Sequence, residues 1–254
     1  MENTELGVLQ RAVQANPADA EARLALLRGL IDAARWPEAE ALARALLQEM
    51  EPPPEVHGAL GLVLGKQGRW AEAAQQCQQA LAGQPDDALA LFNLSLAQAR
   101  QGDLEAALAG LNTVVTLEPA WAEAHYSLGT LLLQQQRYHE ALQALERAGE
   151  CRSPYPEAQF NRGNAHALRG LDADGSLNYY ELDCAINAYK MAIQQRPGYT
   201  AALYNLGMVY QRMGSAEGLR VWEQYLEAAA THLDEDTWRA RAQAFKEDLA
   251  YRLR

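Results

Sequence analysis

The chain has 254 residues, 49% of them apolar but only 7% aromatic, and a formal net charge of −11. That acidity argues against a nucleic-acid binder, which needs a Lys/Arg surplus on some face, and weakens any attraction to anionic lipid. No apolar run approaches the ~18 residues of a spanning helix, Met1–Glu5 has no signal-peptide character, and Cys77, Cys151 and Cys184 form neither a CxxC pair nor an even framework, so a reducing compartment, the cytoplasm, is expected.

Ala, Leu and Gln dominate, and no alternating Val/Ile/Thr run argues for sheet. Residues 5–16 predict a helix that ends at Pro17. From there the chain repeats itself every 34 residues. HGALGLVLGKQGRWAEAA begins at His57, LFNLSLAQARQGDLEAAL at Leu91, HYSLGTLLLQQQRYHEAL at His125 and LYNLGMVYQRMG at Leu203; Pro85 and Pro119 keep the same beat. The pattern predicts an N-terminal half-repeat over 1–19 and six repeats over 20–232, at 20–53, 54–87, 88–121, 122–155, 156–199 and 200–232. Each holds two helices around a short polar break, and the fifth carries ten extra residues. Residues 233–254 predict a last helix that caps the stack. Trp238, Ala242, Phe245, Leu249 and Leu253 form its apolar face.

The period has a packing logic. The eighth residues of successive repeats are Leu27, Gly61, Ser95, Gly129, Gly163 and Gly207; the twentieth are Ala39, Ala73, Ala107, Ala141, Ala185 and, one place out of phase, Gly218. Small residues at both places let the two helices of a pair approach closely. One pair cannot bury its apolar face alone, whereas stacked neighbours can.

These residues resemble the tetratricopeptide repeat, W-x2-L-G-x2-Y, then A-x3-F, then P. Over 122–155 the match is Leu128-Gly129, Tyr138, Ala141 and Leu145, and the likeness runs from about 19 to 232. The resemblance implies an all-α, right-handed superhelical solenoid of antiparallel helix pairs, whose concave groove binds peptides or proteins and is lined by the first helix of each pair.

On that face, the fifth and sixth places of repeats three to six hold Phe92 and Asn93, Tyr126 and Ser127, Phe160 and Asn161, and Tyr204 and Asn205. An amide carries both a donor and an acceptor, so it can pair with the backbone of an extended peptide, while the neighbouring ring supplies apolar area. The competing use of the same residues is packing against the next repeat. The family's basic clamp for chaperone tails is absent, because Gly58, Leu62, Glu123 and Ser127 stand where its Lys, Asn, Lys and Arg would be needed.

Residues 170–181 lie between the two helices of repeat five. Asp172, Asp174, Gly175, Leu177 and Glu181 fall in EF-hand register, but Gly170 occupies the first ligand place. A structural loop closed by Asn178 as helix cap, with Glu181 completing a box-like arrangement, is the simpler expectation; Tyr179 and Tyr180 are contact residues if the loop meets a partner. No GxSxG, GxxxxGK[ST], HExxH or strand-borne GxGxxG occurs, and the five histidines are scattered. The expectation is a non-catalytic interaction scaffold, an adaptor without cofactor or resident metal, that binds an extended peptide or partner protein. It binds no nucleic acid and inserts into no membrane. The alternatives are a metal-regulated binder using 170–181, or a structural subunit that self-associates weakly through its terminal repeats.

Overall fold

The computed structural model describes residues 3–48, 55–171, 176–230 and 236–253. Among them are fourteen helices and no strand, with one isolated bridge between Leu171 and Leu177. They fall into two compact bodies, Met1–Pro119 and Ala120–Arg254.

The N-terminal body contains α1 (Asn3–Ala15), α2 (Ala20–Asp32), α3 (Trp36–Leu46), α4 (Glu55–Lys66), α5 (Trp70–Gly83), α6 (Ala88–Arg100) and α7 (Leu104–Leu117). Helices adjacent in sequence pack as neighbours, and the first helices α2, α4 and α6 also touch in turn. A core built on Leu27, Leu30, Leu46, Val56, Leu60 and Leu64 joins the first two pairs, and Leu6 ties α1 to it. Asp19, Asp87 and Asp103 cap α2, α6 and α7 by accepting from backbone N–H groups of the first turn.

The C-terminal body contains α8 (Ala122–Gln134), α9 (Tyr138–Cys151), α10 (Pro156–Arg169), α11 (Tyr179–Gln195), α12 (Thr200–Met213), α13 (Glu217–Ala229) and α14 (Asp236–Arg252). Its largest core joins Leu182, Tyr189, Leu206, Trp222 and Tyr225. Ala242 and Leu249 of α14 are fully buried, and Phe245 stacks on Trp222 at 5.6 Å between centroids. The other end of the expected apolar stripe differs: Trp238 and Leu253 are 46% and 44% exposed.

The repeat is written in the backbone of the hairpin turns. Ala34, Gly68, Gly102 and Gln136, spaced by 34, have φ of 54°, 77°, 89° and 59°. The N–H of the next residue reaches back five places: Arg35 to Leu30 O, Arg69 to Leu64 O, Asp103 to Gln98 O and Arg137 to Leu132 O, at 2.9–3.0 Å. This closing bond satisfies an orphan carbonyl at each first-helix end and needs a left-handed residue before it, which glycine adopts without strain. Three of these turns continue with an arginine that pairs with the glutamate three residues on: Arg35–Glu38, Arg69–Glu72 and Arg137–Glu140.

Within a pair, small residues face large ones. A Cβ on Gly129 would lie 2.6 Å from Leu145 Cγ, one on Gly163 2.5 Å from Tyr189 Cδ1, and one on Gly207 2.8 Å from Trp222 Cε2. In the N-terminal body Gly61 abuts Cys77 in the same way. Where the first helix has Ser95, the second supplies the gap with Gly110, which sits against the serine hydroxyl. Burial pushes the Cys77 thiol up to about 12, as expected for a small packed hydrophobe.

Candidate functional site

The face formed by α8, α10 and α12 carries a continuous line of polar side chains. Asn161 Nδ2 donates to Thr130 Oγ1 at 3.1 Å, and Asn164 Nδ2 donates to Asn161 Oδ1 at 3.3 Å. Asn164 Oδ1 in turn accepts from Asn205 Nδ2 and from the Tyr189 hydroxyl, both at 2.8 Å. Three first helices are thus joined through Asn164, which stands at the ninth place of repeat five. Asn161 and Asn205 therefore spend hydrogen-bonding capacity on the neighbouring helix, because a matching amide lies within reach there. Ser127, on α8, is half-buried.

In the C-terminal body the rings at the fifth places are clasped by other aromatic residues, some opening the next first helix and some on the second helices and α14. Tyr126 packs on Tyr155 at 5.2 Å, and Phe160 on Tyr199 at 5.3 Å and Tyr189 at 6.0 Å. Tyr204 meets Trp222, Tyr225 and Trp238 edge-on at 5.4, 5.4 and 5.1 Å. Tyr155 and Tyr199 are the residues that open α10 and α12. Trp121 opens α8 in the same way. This recurrence at the last place of three repeats is a sequence signal that the ring-plus-amide pattern alone does not use. Burial pushes the Tyr155 phenol up to about 12 and raises that of Tyr189 further, so both remain neutral donors at physiological pH.

Beside the amide line lies an open cavity of about 550 Å³, lined among others by Gln134, Asn164, Tyr189, Asn205, Met208 and Arg212. It offers apolar floor, amide edges and one cation to a chain laid across the three helices.

In the N-terminal body, Phe92 is half-buried and Asn93 only 8% exposed. Asn93 Nδ2 is buried without a hydrogen-bond partner among the described residues. It borders a cavity of about 260 Å³ with Leu62, Lys66, Trp70, Phe92 and Arg100. The Arg100 guanidinium stands 5.5 Å from the centre of the Trp70 ring. A buried unmet donor costs about 1–3 kcal/mol unless a ligand or water accepts from it.

The insertion leaves α10 at Gly170 and returns through the Leu171–Leu177 bridge and the bond from Asn178 N to Gly170 O. Asn178 caps α11 by accepting from Glu181 N at 3.3 Å. Glu181 does not complete the box. It is 5% exposed, with His166 Nδ1 2.7 Å and Arg169 2.8 Å from its oxygens. A Cβ on Gly170 would come 2.5 Å from Leu182 Cδ2, so the place where an EF-hand needs its first carboxylate is filled by packing. Asp172, Asp174 and Gly175 lie outside the described residues. Tyr179 and Tyr180 are exposed. Arg162 pairs with Gln159 and Glu146, within its own surroundings.

Stacked helix hairpins with close-packed glycine contacts and a polar, ring-flanked first-helix face define an all-α repeat protein of the solenoid class. The family model for the tetratricopeptide repeat matches residues 59–120, 111–156 and 126–175. The chain is a tetratricopeptide-repeat protein. Human Protein O-mannosyl-transferase TMTC1 is 26% identical over 172 residues, which is 66% of this chain and 18% of that protein. The chain thus spans less than a fifth of that relative's length. Among solved structures, the crystal structure of MamA superposes with a TM-score of 0.62 at 23% identity, covering 72% of this chain and 95% of that one. YrrB, described as a TPR protein with an unusual peptide-binding site, gives 0.61 at 20%, covering 75% and 94%. These two share the fold. No described helix is long and apolar enough to cross a membrane.

Proposed function

We propose that this protein is a non-catalytic interaction scaffold, an adaptor whose C-terminal body binds an extended segment of a partner protein across α8, α10 and α12. The observation that carries this reading is the amide line from Asn161 through Asn164 to Asn205 beside a cavity of about 550 Å³. An amide whose orientation is already held by its neighbours loses little freedom when it pairs with a peptide backbone. Tyr126, Phe160 and Tyr204, held by their clasping rings, give the segment rigid apolar contacts, and Ser127 adds a hydroxyl. In the N-terminal body, Phe92 and the unmet Asn93 amide serve a separate contact.

The transferase in the human relative's name does not carry over on 18% of that protein's length. Among the described residues no three His, Cys, Asp or Glu side chains gather as a metal site would require. Three free cysteines, Cys77 buried among them, fit a reducing compartment, the cytoplasm.

The test is site-specific photo-crosslinking. A photoreactive residue at Gln134 or Arg212, exposed beside the amide line, is expected to capture the same partner segment. One at Glu146 or Asp183, exposed on α9 and α11, is expected to capture none of it. Capture from Glu146 and Asp183 alone would move binding to the second helices and end this reading.

A further inference from the structure

At the last repeat, Trp238 of α14 joins Trp222 and Tyr225 of α13 around the fifth-place ring, Tyr204, and a hole is left beside it. Thr200, Ala201, Tyr204, Asn205, Tyr225 and Trp238 line a cavity of about 280 Å³. Drug-sized ligands occupy pockets of about 300–1,000 Å³, so this one suits a single large side chain. Tyr204 meets Tyr225 at 69° and Trp238 at 84°, so walls of different orientation enclose the space. Such walls receive an aromatic ring edge-to-face or offset. Trp238 is 46% exposed although Ala242 and Leu249 of the same helix are fully buried, so sealing the stack does not use it up.

The charge beside the cavity selects the residue adjacent to the guest ring. The Arg241 guanidinium stands 5.4 Å from the Trp238 ring centre and is near enough to Tyr204 for its charge to oppose the rise that burial gives the phenol. Trp238 and Tyr204 are two of the cavity's walls. Lys246 pairs with Glu223 and Arg252 with Asp248, whereas Arg241 has no carboxylate partner among the described residues. A guanidinium that no described carboxylate pairs with, next to an aromatic pocket, disfavours a cationic guest and favours an anionic one.

We propose that the cavity between α12, α13 and α14 takes an aromatic side chain of a partner segment, with an adjacent Asp or Glu of that segment held by Arg241. This rests on the reading of the α8–α10–α12 face as peptide-binding, and it adds an end-point that the repeats alone do not provide. The helix that caps the stack then also fixes the register of the bound segment.

The full chain, labelled with ¹⁵N, is titrated with capped dipeptides while the Trp238 indole resonance is followed, its assignment taken from Trp238→Phe. Ac-Phe-Glu-NH2 is expected to move the resonance with a Kd on the order of 1 mM, reasonable for so small a probe. Ac-Phe-Gln-NH2 is expected to bind about 3- to 10-fold more weakly and Ac-Phe-Lys-NH2 more weakly still, on the scale of one partly exposed charge pair. Ac-Ala-Glu-NH2 is expected to leave the resonance unmoved. In Arg241→Gln the Glu and Gln peptides are expected to bind alike. A resonance unmoved by Ac-Phe-Glu-NH2 overturns the cavity assignment, and equal binding of the Glu and Lys peptides overturns the role of Arg241. A response to tetramethylammonium instead of the dipeptide makes the cavity a cation cage, and a shift on diluting the protein alone gives it to a second copy; either result ends the proposal. The titration reads the cavity directly, so it can fail while crosslinking at Gln134 succeeds, and the reverse.

Discussion

Tyr189 donates its hydroxyl to Asn164 Oδ1 at 2.8 Å from the second helix of its pair, while its ring covers Gly163 on the first. One side chain thus seals the pair and orients the amide that joins Asn161 to Asn205. Removing the hydroxyl or the amide should have different costs. Tyr189→Phe keeps the packing and loses one hydrogen bond, so destabilisation of about 1 kcal/mol is expected. Asn164→Ala leaves the buried Tyr189 hydroxyl and the Asn205 amide without their acceptor, and about 1–3 kcal/mol is expected. Urea unfolding of both variants checks this, and equal, negligible losses would show that the amide line is incidental to the fold.

The contact between paired helices predicts an ordering of substitutions. Gly129→Val forces a side chain into Leu145, and Ala141→Leu enlarges a residue with no exposed surface. Overpacking of this kind typically costs about 1–3 kcal/mol. Gln134→Leu, at an exposed position of the same hairpin, is expected to stay within about 0.5 kcal/mol of the parent. Thermal melts of the three variants decide it, and equal shifts would mean that the hairpin register is wrong.

Two of the five left-handed hairpin turns among the described residues lack glycine. Ala34 and Gln136 hold φ of 54° and 59° where Gly68 and Gly102 sit without strain. Ala34→Gly and Gln136→Gly are therefore expected to stabilise by a few tenths to about 1 kcal/mol, and Gly102→Ala to destabilise by at least as much. Denaturant midpoints measure the signs. A loss of stability in both glycine variants would contradict the turn geometry.

Glu181 is held by His166 and Arg169, and the backbone at Gly170 has no room for an acidic side chain. Calcium would have to break the first arrangement and do without the second. Titration calorimetry is expected to give no micromolar calcium isotherm, and Glu181→Gln should lower thermal stability with or without calcium. A micromolar isotherm that vanishes in Glu181→Gln would restore the metal-regulated alternative.

The parts of this fold legible in sequence are those set by neighbours along the chain. Gly68 and Gly102, spaced by the period, mark turns, and Gly129 opposite Leu145 marks a close contact, because a short turn folds the second helix straight back on the first and fixes which residues meet. The use of Asn161 and Asn205 is not legible to the same degree. Their pattern suggests free amides, whereas their partner Asn164 is fixed by how α10 sits between α8 and α12. Asn164 does occupy the ninth place of that face, so a signal exists. Glu181 likewise reads as cap or ligand from its local spacing, while His166 and Arg169 reach it from the preceding helix. Trp238 reads as part of a buried stripe; packing on Trp222 is taken by Phe245, which leaves Trp238 half in the open against Tyr204.

The central claim is that a partner segment lies on the α8–α10–α12 face and pairs with its amides. The most direct measurement is the affinity of the crosslinked partner segment, made as a peptide, for the intact chain and for Asn161→Ala/Asn205→Ala, with the melting temperature of each recorded. An intact Kd of ~1–100 μM is expected for a flexible peptide that loses entropy on ordering. The double variant should bind about tenfold more weakly or worse while still folding cooperatively, the cost of leaving backbone groups of the segment unpaired. Unchanged affinity in that variant, together with loss of binding in Glu146→Ala/Asp183→Ala on the second helices, would contradict the account.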